Sequence, residues 1–198
     1  MHKDNAKKQV ALLLADGFEE GEAVIVLDIL ERLDISVTTL ACQQNQTLRS
    51  YHGIQMQANA LLSAQGNKLF DAVVMPGGPE GSMALAASRE VVEFVRRHDD
   101  AGKLICPLCS AAARGLGGNN LLKGRRYVCS GDLYQDVKDG VYVNQSFVED
   151  GNLLSGKGLG LAFDFAFQLA YRLTGNAEVT NFQADHIDYH HWRADQKL

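Results

Sequence analysis

The feature that most constrains this chain is a regular alternation of short apolar runs with longer amphipathic segments. Apolar or β-branched runs of strand length lie at Gln9–Ala15, Ser36–Ala41, Ile54–Ala58, Asp71–Met75 and Lys103–Leu108. Segments with apolar residues at helical spacing lie at Glu22–Leu33, Ser82–Arg97 and Leu161–Leu173. Further short strands are predicted at Tyr127–Ser130, Phe147–Glu149 and Leu153–Ser155. Alternating strands and helices with short connections are typical of an open, mostly parallel sheet with helices on both faces, so the predicted fold class is α/β.

The chain length favours a single domain. The sequence has 198 residues, 46% hydrophobic and 22% charged, which are ordinary values for one globular unit. No linker-like stretch or internal repeat divides it. We therefore predict one domain over residues 1–198, in which residues 1–8 and 186–198 are flexible or peripheral tails.

The charge balance and the cysteine content restrict partners and location. The chain has 19 Lys+Arg and 24 Asp+Glu, a net charge of −5, which gives no broad positive field for nucleic acid or anionic lipid. The apolar run Val10–Ala15 is far shorter than the ~20 residues of a spanning helix, and the acidic residues that follow it are unlike a signal peptide. We expect no nucleic-acid or membrane partner and a cytoplasmic location, where cysteines stay reduced.

Three loops follow predicted strands and mark the predicted position of a site. They are Asp16–Glu22, Pro76–Ser82 and Cys109–Gly115. In open parallel sheets, sites form at the carboxyl ends of the strands. We therefore expect these three loops to converge.

Cys109 is the first candidate for chemistry, because it follows a strand and precedes a run of small residues. A cysteine at such a turn into a helix gains thiolate stability from the helix N-terminal amides. The alternative is a buried, inert cysteine, and the residues alone leave both open. Cys106 and Cys109 also match a C-x-x-C redox pattern. Three strand steps separate them by about 10 Å, however, whereas a disulfide needs Cα atoms within about 7 Å.

Carboxylates and glycines in the other two loops supply candidate partners. Glu19 and Glu20 are interpreted as residues that complement a helix N-terminus, whereas Glu22 lies beside an apolar run and is the best candidate for an inward-facing acid or base. Gly77 and Gly78 allow backbone amides to approach a ligand closely, as an oxyanion pocket requires.

Three other patterns are interpreted as structural. The stretch 151–158 lacks the Ser or Thr that ends a phosphate-binding loop, and 156–161 lacks the last glycine of a dinucleotide fingerprint. His186, His190 and His191 are interpreted as part of a solvated or oligomer-contacting tail rather than as metal ligands. No cofactor and no metal are predicted.

Taken together, the loop motifs resemble those of the ThiJ/PfpI superfamily. The resemblance rests on Ala15–Glu22, Met75–Gly78, Leu104–Ala111 and Ser155–Gly160, in that order, and extends from Val10 to Ala177. It is greatest to the branch that contains the Parkinson disease protein and its bacterial relatives. It implies a flavodoxin-like fold, a homodimer and no cofactor.

The resemblance also assigns roles to residues of the three loops. It makes Cys109 the nucleophile at the elbow, Glu22 its hydrogen-bonding acid, and the amides of Gly78 and Ser110 an oxyanion pocket. The activities it implies are glyoxalase-type conversion of methylglyoxal, deglycation, chaperone activity and peroxide sensing by cysteine oxidation.

Two departures from the family pattern bear on function. The protease-like branch has a histidine directly after its cysteine, and this chain has Ser110 at that position. The other branch takes a histidine near the site from a later strand, and the matching stretch here, Val128–Gly131, contains no histidine. A peptidase or amidase is therefore less favoured. Cys106 and Cys129 are expected in or near the site, which favours oxidation chemistry.

The leading hypothesis is a cysteine-dependent protein that acts on small electrophiles or peroxide. The alternative is a non-catalytic redox sensor or chaperone. We expect oxidised Cys109 to stop at the sulfenic or sulfinic stage, and Cys129 is the first candidate for any disulfide with it.

Overall fold

The computed structural model describes residues 7–194, which form eleven strands and five α-helices. The strands are β1 (Gln9–Leu14), β2 (Ser36–Ala41), β3 (Thr47–Arg49), β4 (Gln55–Gln57), β5 (Ala60–Leu61), β6 (Ala72–Met75), β7 (Leu104–Pro107), β8 (Arg126–Tyr127), β9 (Val141–Tyr142), β10 (Phe147–Asp150) and β11 (Leu153–Gly156). The helices are α1 (Glu20–Arg32), α2 (Pro79–Ala87), α3 (Arg89–Asp100), α4 (Ala162–Thr174) and α5 (Ala177–His186).

Seven of the strands form one central sheet in the order β10-β11-β7-β6-β1-β2-β5. All neighbours in it are parallel except the pair of β10 and β11. The two remaining pairs, β3 with β4 and β8 with β9, are small separate sheets. From β1 the chain moves to β2 on one side and later returns to β6 on the other. A crevice therefore opens between the ends of β1 and β6, where ligands bind in such folds.

Apolar side chains from both faces of the sheet explain the layered architecture. Alternate residues of β1 enter two separate cores, with Leu12 on one face and Leu13 on the other. The first core contains α1, α4 and α5, and the second contains α2, α3 and the segment after β7. The α/β prediction, with a mostly parallel sheet and helices on both faces, is confirmed.

The structure differs from the predicted elements at several boundaries. The predicted helix Ser82–Arg97 is two helices, because Ser88 is extended (φ −81°, ψ 111°) and its side chain caps α3 by accepting from Val91 N. Helix α1 begins at Glu20, two residues earlier than predicted. The predicted strand Tyr127–Ser130 ends at Tyr127.

The C-terminal segment is packed onto the first core, which the sequence did not predict. Tyr189 stacks on Phe163 and Phe167, and Trp192 stacks on Phe167 with its side chain fully buried. The expectation of a peripheral tail over residues 186–198 is therefore wrong at Tyr189 and Trp192, because large aromatic rings gain more by covering the core than by facing water. Residues 1–6 and 195–198 lie outside the described residues.

Among the residues that the structure describes, no helix combines the length and the apolar character needed to cross a bilayer.

Candidate functional site

Cys109 occupies a sharp turn between β7 and the helical segment that follows it. Its φ is +55°, a left-handed conformation that is uncommon for a residue other than glycine and is often found at functional sites. Its N–H donates to Gly156 O at 2.9 Å, and its carbonyl accepts from Ser130 N at 3.3 Å. A helical turn begins at Ser110, so Cys109 is held at the predicted elbow.

Glu22 projects from the first turn of α1 into the crevice and is fully buried. Its Oε2 accepts a hydrogen bond of 2.7 Å from the backbone N–H of Gly77, the second residue after β6. This bond joins the loop after β1 to the loop after β6. The two acidic residues before Glu22 are only partly buried, in agreement with the interpretation that Glu22 is the inward-facing carboxyl of the three.

The three predicted loops converge at Gly77. A Cβ atom at this position would lie 2.6 Å from Cβ of Cys109, 3.0 Å from its Sγ and 3.1 Å from Oε2 of Glu22. Only a residue without a side chain allows the sulfur and the carboxyl to meet here. Gly78 has φ +94°, and its amide donates to no acceptor among the described residues, so it remains available to a ligand.

Burial controls the protonation of Glu22. Loss of solvation raises the pKa of its carboxyl to about 7, although the hydrogen bonds from Gly77 N–H and the Cys109 thiol oppose that rise. Near neutral pH, Glu22 therefore exists both as an acid and as a base. A group with this property can donate and accept a proton in the same reaction cycle.

The Cys109 thiol faces opposing influences. Burial, followed by the neighbouring Glu22 charge, raises its pKa, whereas hydrogen bonds from the Ser130 hydroxyl and the Ser110 amide lower it. The expected stabilisation of the thiolate by the helix N-terminus is present in the Ser110 amide, but burial outweighs it. Protonation of Glu22 removes the repelling charge and supplies a donor, so the two groups share control of one proton.

The other cysteines lie in environments that suppress ionisation. Cys106 is fully buried in the first core, and burial raises its pKa strongly. It is thus a core residue of β7, in the same core against which Cys109 packs. Burial raises the pKa of Cys129 to about 11 and that of Cys42 to about 12. All four are free thiols in the structure.

Ser130 and Gly158 are site residues that the sequence did not single out. Ser130 follows β8 and contacts Cys109 through both its backbone and its hydroxyl. A Cβ on Gly158, in the loop after β11, would lie 3.9 Å from the Cys109 sulfur. Ser130 lies in the stretch that matches the source of the site histidine in the related branch of the superfamily. That match was the one sequence signal that pointed to Ser130.

Potential metal ligands cluster at a different place from the one the histidine pattern suggested. Within residues 7–194, the ligand atoms of Glu19, Glu20 and His52 lie within 4.8 Å of one another. His52 Nδ1 is 2.7 Å from Glu20 Oε1, and this contact between two side chains at the surface is enough to explain why the group lies together without a metal ion. His190 pairs in the same way with Asp185, at 3.0 Å.

Comparison with known proteins identifies relatives with this architecture. The DJ-1/PfpI family model matches residues 8–172. The chain is 31% identical over 178 residues to protein dj-1beta of Drosophila melanogaster, covering 87% of this chain and 92% of that protein. It is 27% identical over 177 residues to glutathione-independent glyoxalase DJR-1.2 of Caenorhabditis elegans, covering 88% and 92% respectively.

Other relatives differ in length or have known structures. The chain matches DJ-1 homolog B of Arabidopsis thaliana at 30% identity over 176 residues but spans only 40% of that protein's length. The crystal structure of a cysteine-to-alanine mutant of a DJ-1 superfamily protein from Salmonella typhimurium is 60% identical, with a TM-score of 0.91, covering 92% of this chain and 98% of that one. These matches confirm the resemblance and the flavodoxin-like fold, and they show that the chain belongs to the DJ-1/PfpI family.

Proposed function

We propose that this protein is a cofactor-independent, cysteine-dependent enzyme that converts small α-oxoaldehydes, such as methylglyoxal, into hydroxy acids. The observation that carries the proposal is the buried Glu22 carboxyl, with a pKa of about 7, held beside Cys109 by the Gly77 amide. This chemistry needs at least a nucleophile and, beside it in the same crevice, an acid-base group whose pKa lies near the working pH. A relative of similar length, named a glutathione-independent glyoxalase, supports the choice of substrate class.

The first step joins the sulfur to the substrate. Cys109 Sγ attacks the aldehyde carbon, the thiol proton passes to Glu22, and Glu22 returns that proton to the carbonyl oxygen, which gives a neutral hemithioacetal beside a Glu22 carboxylate. The amides of Gly78 and Ser110 are the proposed donors to that oxygen while its negative charge develops.

The second step moves the former aldehyde hydrogen as a proton to the neighbouring carbonyl carbon, with Glu22 as the carrier, while the hydroxyl proton passes from the oxygen of the first carbon to that of the second. The first carbon becomes a thioester and the second an alcohol, so oxidation and reduction balance within the substrate. Water then hydrolyses the thioester, which releases lactate and restores the thiol. The net reaction is methylglyoxal plus water to lactate.

Lactate formation from methylglyoxal tests the proposal directly. The wild-type protein should produce lactate without added glutathione, Cys109→Ser should abolish production, and Glu22→Gln should lower kcat by about 10²–10⁴-fold. Cys42→Ser is the matched control and should retain wild-type activity, because Cys42 lies outside the site. Unchanged lactate production by Cys109→Ser would contradict the proposal.

A second candidate function, peroxide sensing, is favoured by the donors around the sulfur. The Ser110 amide and the Ser130 hydroxyl face Cys109, and a protonated Glu22 adds a third donor, so a sulfinate formed by two equivalents of peroxide would be hydrogen-bonded. Intact-mass analysis after graded peroxide should show a gain of two oxygens on Cys109. Loss of two hydrogens mapped to Cys106 and Cys109 would instead indicate a dithiol switch.

A peptidase or amidase role receives no support from this geometry. The side chain that reaches Cys109 after β8 is the Ser130 hydroxyl. A hydroxyl cannot replace an imidazole as a general base near neutral pH. Hydrolytic assays are therefore expected to give no Cys109-dependent rate.

We further propose that two copies of the chain associate through the outer face of α1. Val24 is 51% exposed and Leu159 is 47% exposed. The Leu159 side chain packs against Gly21, which lies three residues before Val24 on α1, so both apolar side chains lie along one side of that helix. Light scattering should give twice the monomer mass, and Val24→Asp should halve it, whereas a monomeric wild-type protein would refute the interface.

A further inference from the structure

A second cavity lies behind the elbow, separate from the crevice that holds Glu22. Its volume is about 620 Å³, within the range of small-molecule sites. Its apolar wall consists of Met83, Ala86, Ala87, Ala113, Leu133 and Val137. Val137 packs directly against Gly117, where a Cβ atom would lie 2.8 Å from the valine side chain.

Arg114 places one positive charge in this apolar wall. Its Nη1 donates to Pro79 O at 3.0 Å and to Ser82 Oγ at 3.2 Å, which fixes the guanidinium group. Its Nε and Nη2 have no acceptor among the described residues. Arg114 lies in the π-helical segment Ala112–Leu116, a wide turn of the kind that often occurs at functional sites.

The anchor of Arg114 is also connected to the elbow. Ser110 donates its hydroxyl hydrogen to Ser82 Oγ at 2.9 Å, the same oxygen that accepts from Arg114. Both serines are buried, so this hydrogen-bond chain is shielded from water. Arg114 is therefore held in a fixed orientation, with its remaining donors preorganised for a ligand.

The charges that line the cavity define the ligand. Asp136 also lines it but forms no ion pair with Arg114 in the described part of the chain. The guanidinium nitrogens Nε and Nη2 therefore keep free N–H donors, and a planar anion can accept from both at once. We propose that this cavity binds a monocarboxylate with an apolar body, its carboxylate on Arg114 and its hydrocarbon against the Met83 and Leu133 side.

Calorimetric titration with sodium octanoate tests the proposal, with 1-octanol as the uncharged probe of equal chain length. Octanoate should bind saturably and at least about tenfold more tightly than octanol. Arg114→Gln should weaken octanoate binding about tenfold or more. Arg89→Gln is the control, because Arg89 is an exposed arginine outside the cavity. No saturable binding, or equal affinity for octanol, overturns the proposal.

A variant that leaves the Arg114 anchor intact guards against misfolding as an explanation. Met83 is 50% exposed at the rim, so Met83→Glu should fold and should abolish octanoate binding by repulsion, while Met83→Leu should retain it. Retained binding by Met83→Glu would place the ligand elsewhere. The inference does not depend on the proposed function, because Cys109→Ser should bind octanoate like the wild-type protein even if no variant turns over methylglyoxal.

Discussion

Gly77 and Cys109 approach so closely that an alanine at position 77 would place its Cβ atom 2.6 Å from Cβ of Cys109. The contact links the end of β6 to the elbow after β7. It also sets the distance between the sulfur and the Glu22 carboxyl, since the same glycine donates its N–H to Glu22.

Gly77→Ala should therefore displace the sulfur, the carboxyl or both. A displacement of about 1 Å at a reacting centre can lower activity about 10²-fold, and overpacking of this kind costs about 1–3 kcal/mol of stability. The rate of Cys109 alkylation and the urea midpoint measure the two effects. Gly118→Ala is the matched control, because nothing lies within 4 Å of the added Cβ and both values should stay at wild type.

Glu22 makes the stability of the protein depend on pH. The pKa of its carboxyl is about 7 in the folded state and exceeds the ordinary value of 4.5. Between these two pH values the folded protein therefore keeps a proton on Glu22 that the unfolded chain has released. The stabilisation is complete below the unfolded pKa and is lost as pH rises through the folded one. Between pH 5 and pH 8, the free energy of unfolding of the wild-type protein should fall by roughly 2 kcal/mol relative to that of Glu22→Gln.

Urea unfolding of both proteins at the two pH values measures this difference. Glu178→Gln, which removes an exposed carboxyl on α5, serves as the control and should follow the wild-type curve. A constant gap between wild type and Glu22→Gln across the range would mean that Glu22 titrates in the fold as it does in water.

Ser130 should tune the reactivity of the Cys109 thiol. Its hydroxyl lowers the pKa of that thiol, so Ser130→Ala should shift the pH profile of iodoacetamide labelling to higher pH, whereas Ser130→Thr retains the donor. Ser63→Ala, an exposed serine on another loop, should leave the profile unchanged. Superimposable profiles for wild type and Ser130→Ala would show that the hydroxyl contributes nothing.

Cys109 should be the first of the four thiols to react at neutral pH. Cys106 and Cys129 are fully buried, and burial raises the pKa of Cys42 to about 12. Cys109 combines partial exposure with two hydrogen-bond donors to the sulfur, the Ser110 amide and the Ser130 hydroxyl. Peptide mapping after substoichiometric iodoacetamide gives the order, and earlier labelling of Cys42 or Cys129 would refute it.

The buried His98 should make the fold sensitive to acid. Its Nε2 accepts from Phe70 N at 3.0 Å and its Nδ1 lies 2.8 Å from Phe94 O, an arrangement that requires the neutral ring. Burial lowers its pKa below 6.5, so the unfolded state binds a proton more readily and stability falls as pH drops below that value.

Thermal melts of His98→Gln between pH 7.5 and pH 5 check this expectation against wild type. The variant should be less stable at pH 7.5 by about 1–3 kcal/mol, because the Phe70 amide loses its acceptor geometry, but its stability should fall less on acidification. His186→Gln, at an exposed position, should behave as wild type. An equal acid dependence in His98→Gln would assign the effect to other groups.

The features that the sequence predicted correctly are those encoded by patterns over a few neighbouring residues. The apolar runs identified the strands of the sheet, and the loops that follow them contain Glu22, Gly77 and Cys109. These residues meet because parallel strands bring their carboxyl ends to one edge of the sheet, whatever the length of chain between them. The inward orientation of Glu22 also followed from its apolar neighbours.

What the sequence did not predict depends on contacts between distant segments. The burial of Trp192 depends on its stacking against Phe167 on α4, and nothing near residue 192 indicates that contact. The burial of Cys106 depends on which face of β7 meets α4. The hydrogen-bond chain from Ser110 through Ser82 to Arg114 joins α2 to the segment after β7, and Ser82 and Ser110 are 28 residues apart in the sequence.

The arrangement of the elbow also has a consequence for the newly made chain. Cys109 donates its N–H to Gly156 O and faces Gly158, so its surroundings are complete only after a segment almost 50 residues further along has been synthesised and paired with β7. At about 5–20 residues per second, that takes several seconds. During this interval the thiol is an ordinary solvent-exposed cysteine, open to oxidants and to other thiols. The speed of translation thus sets how long this thiol stays unprotected.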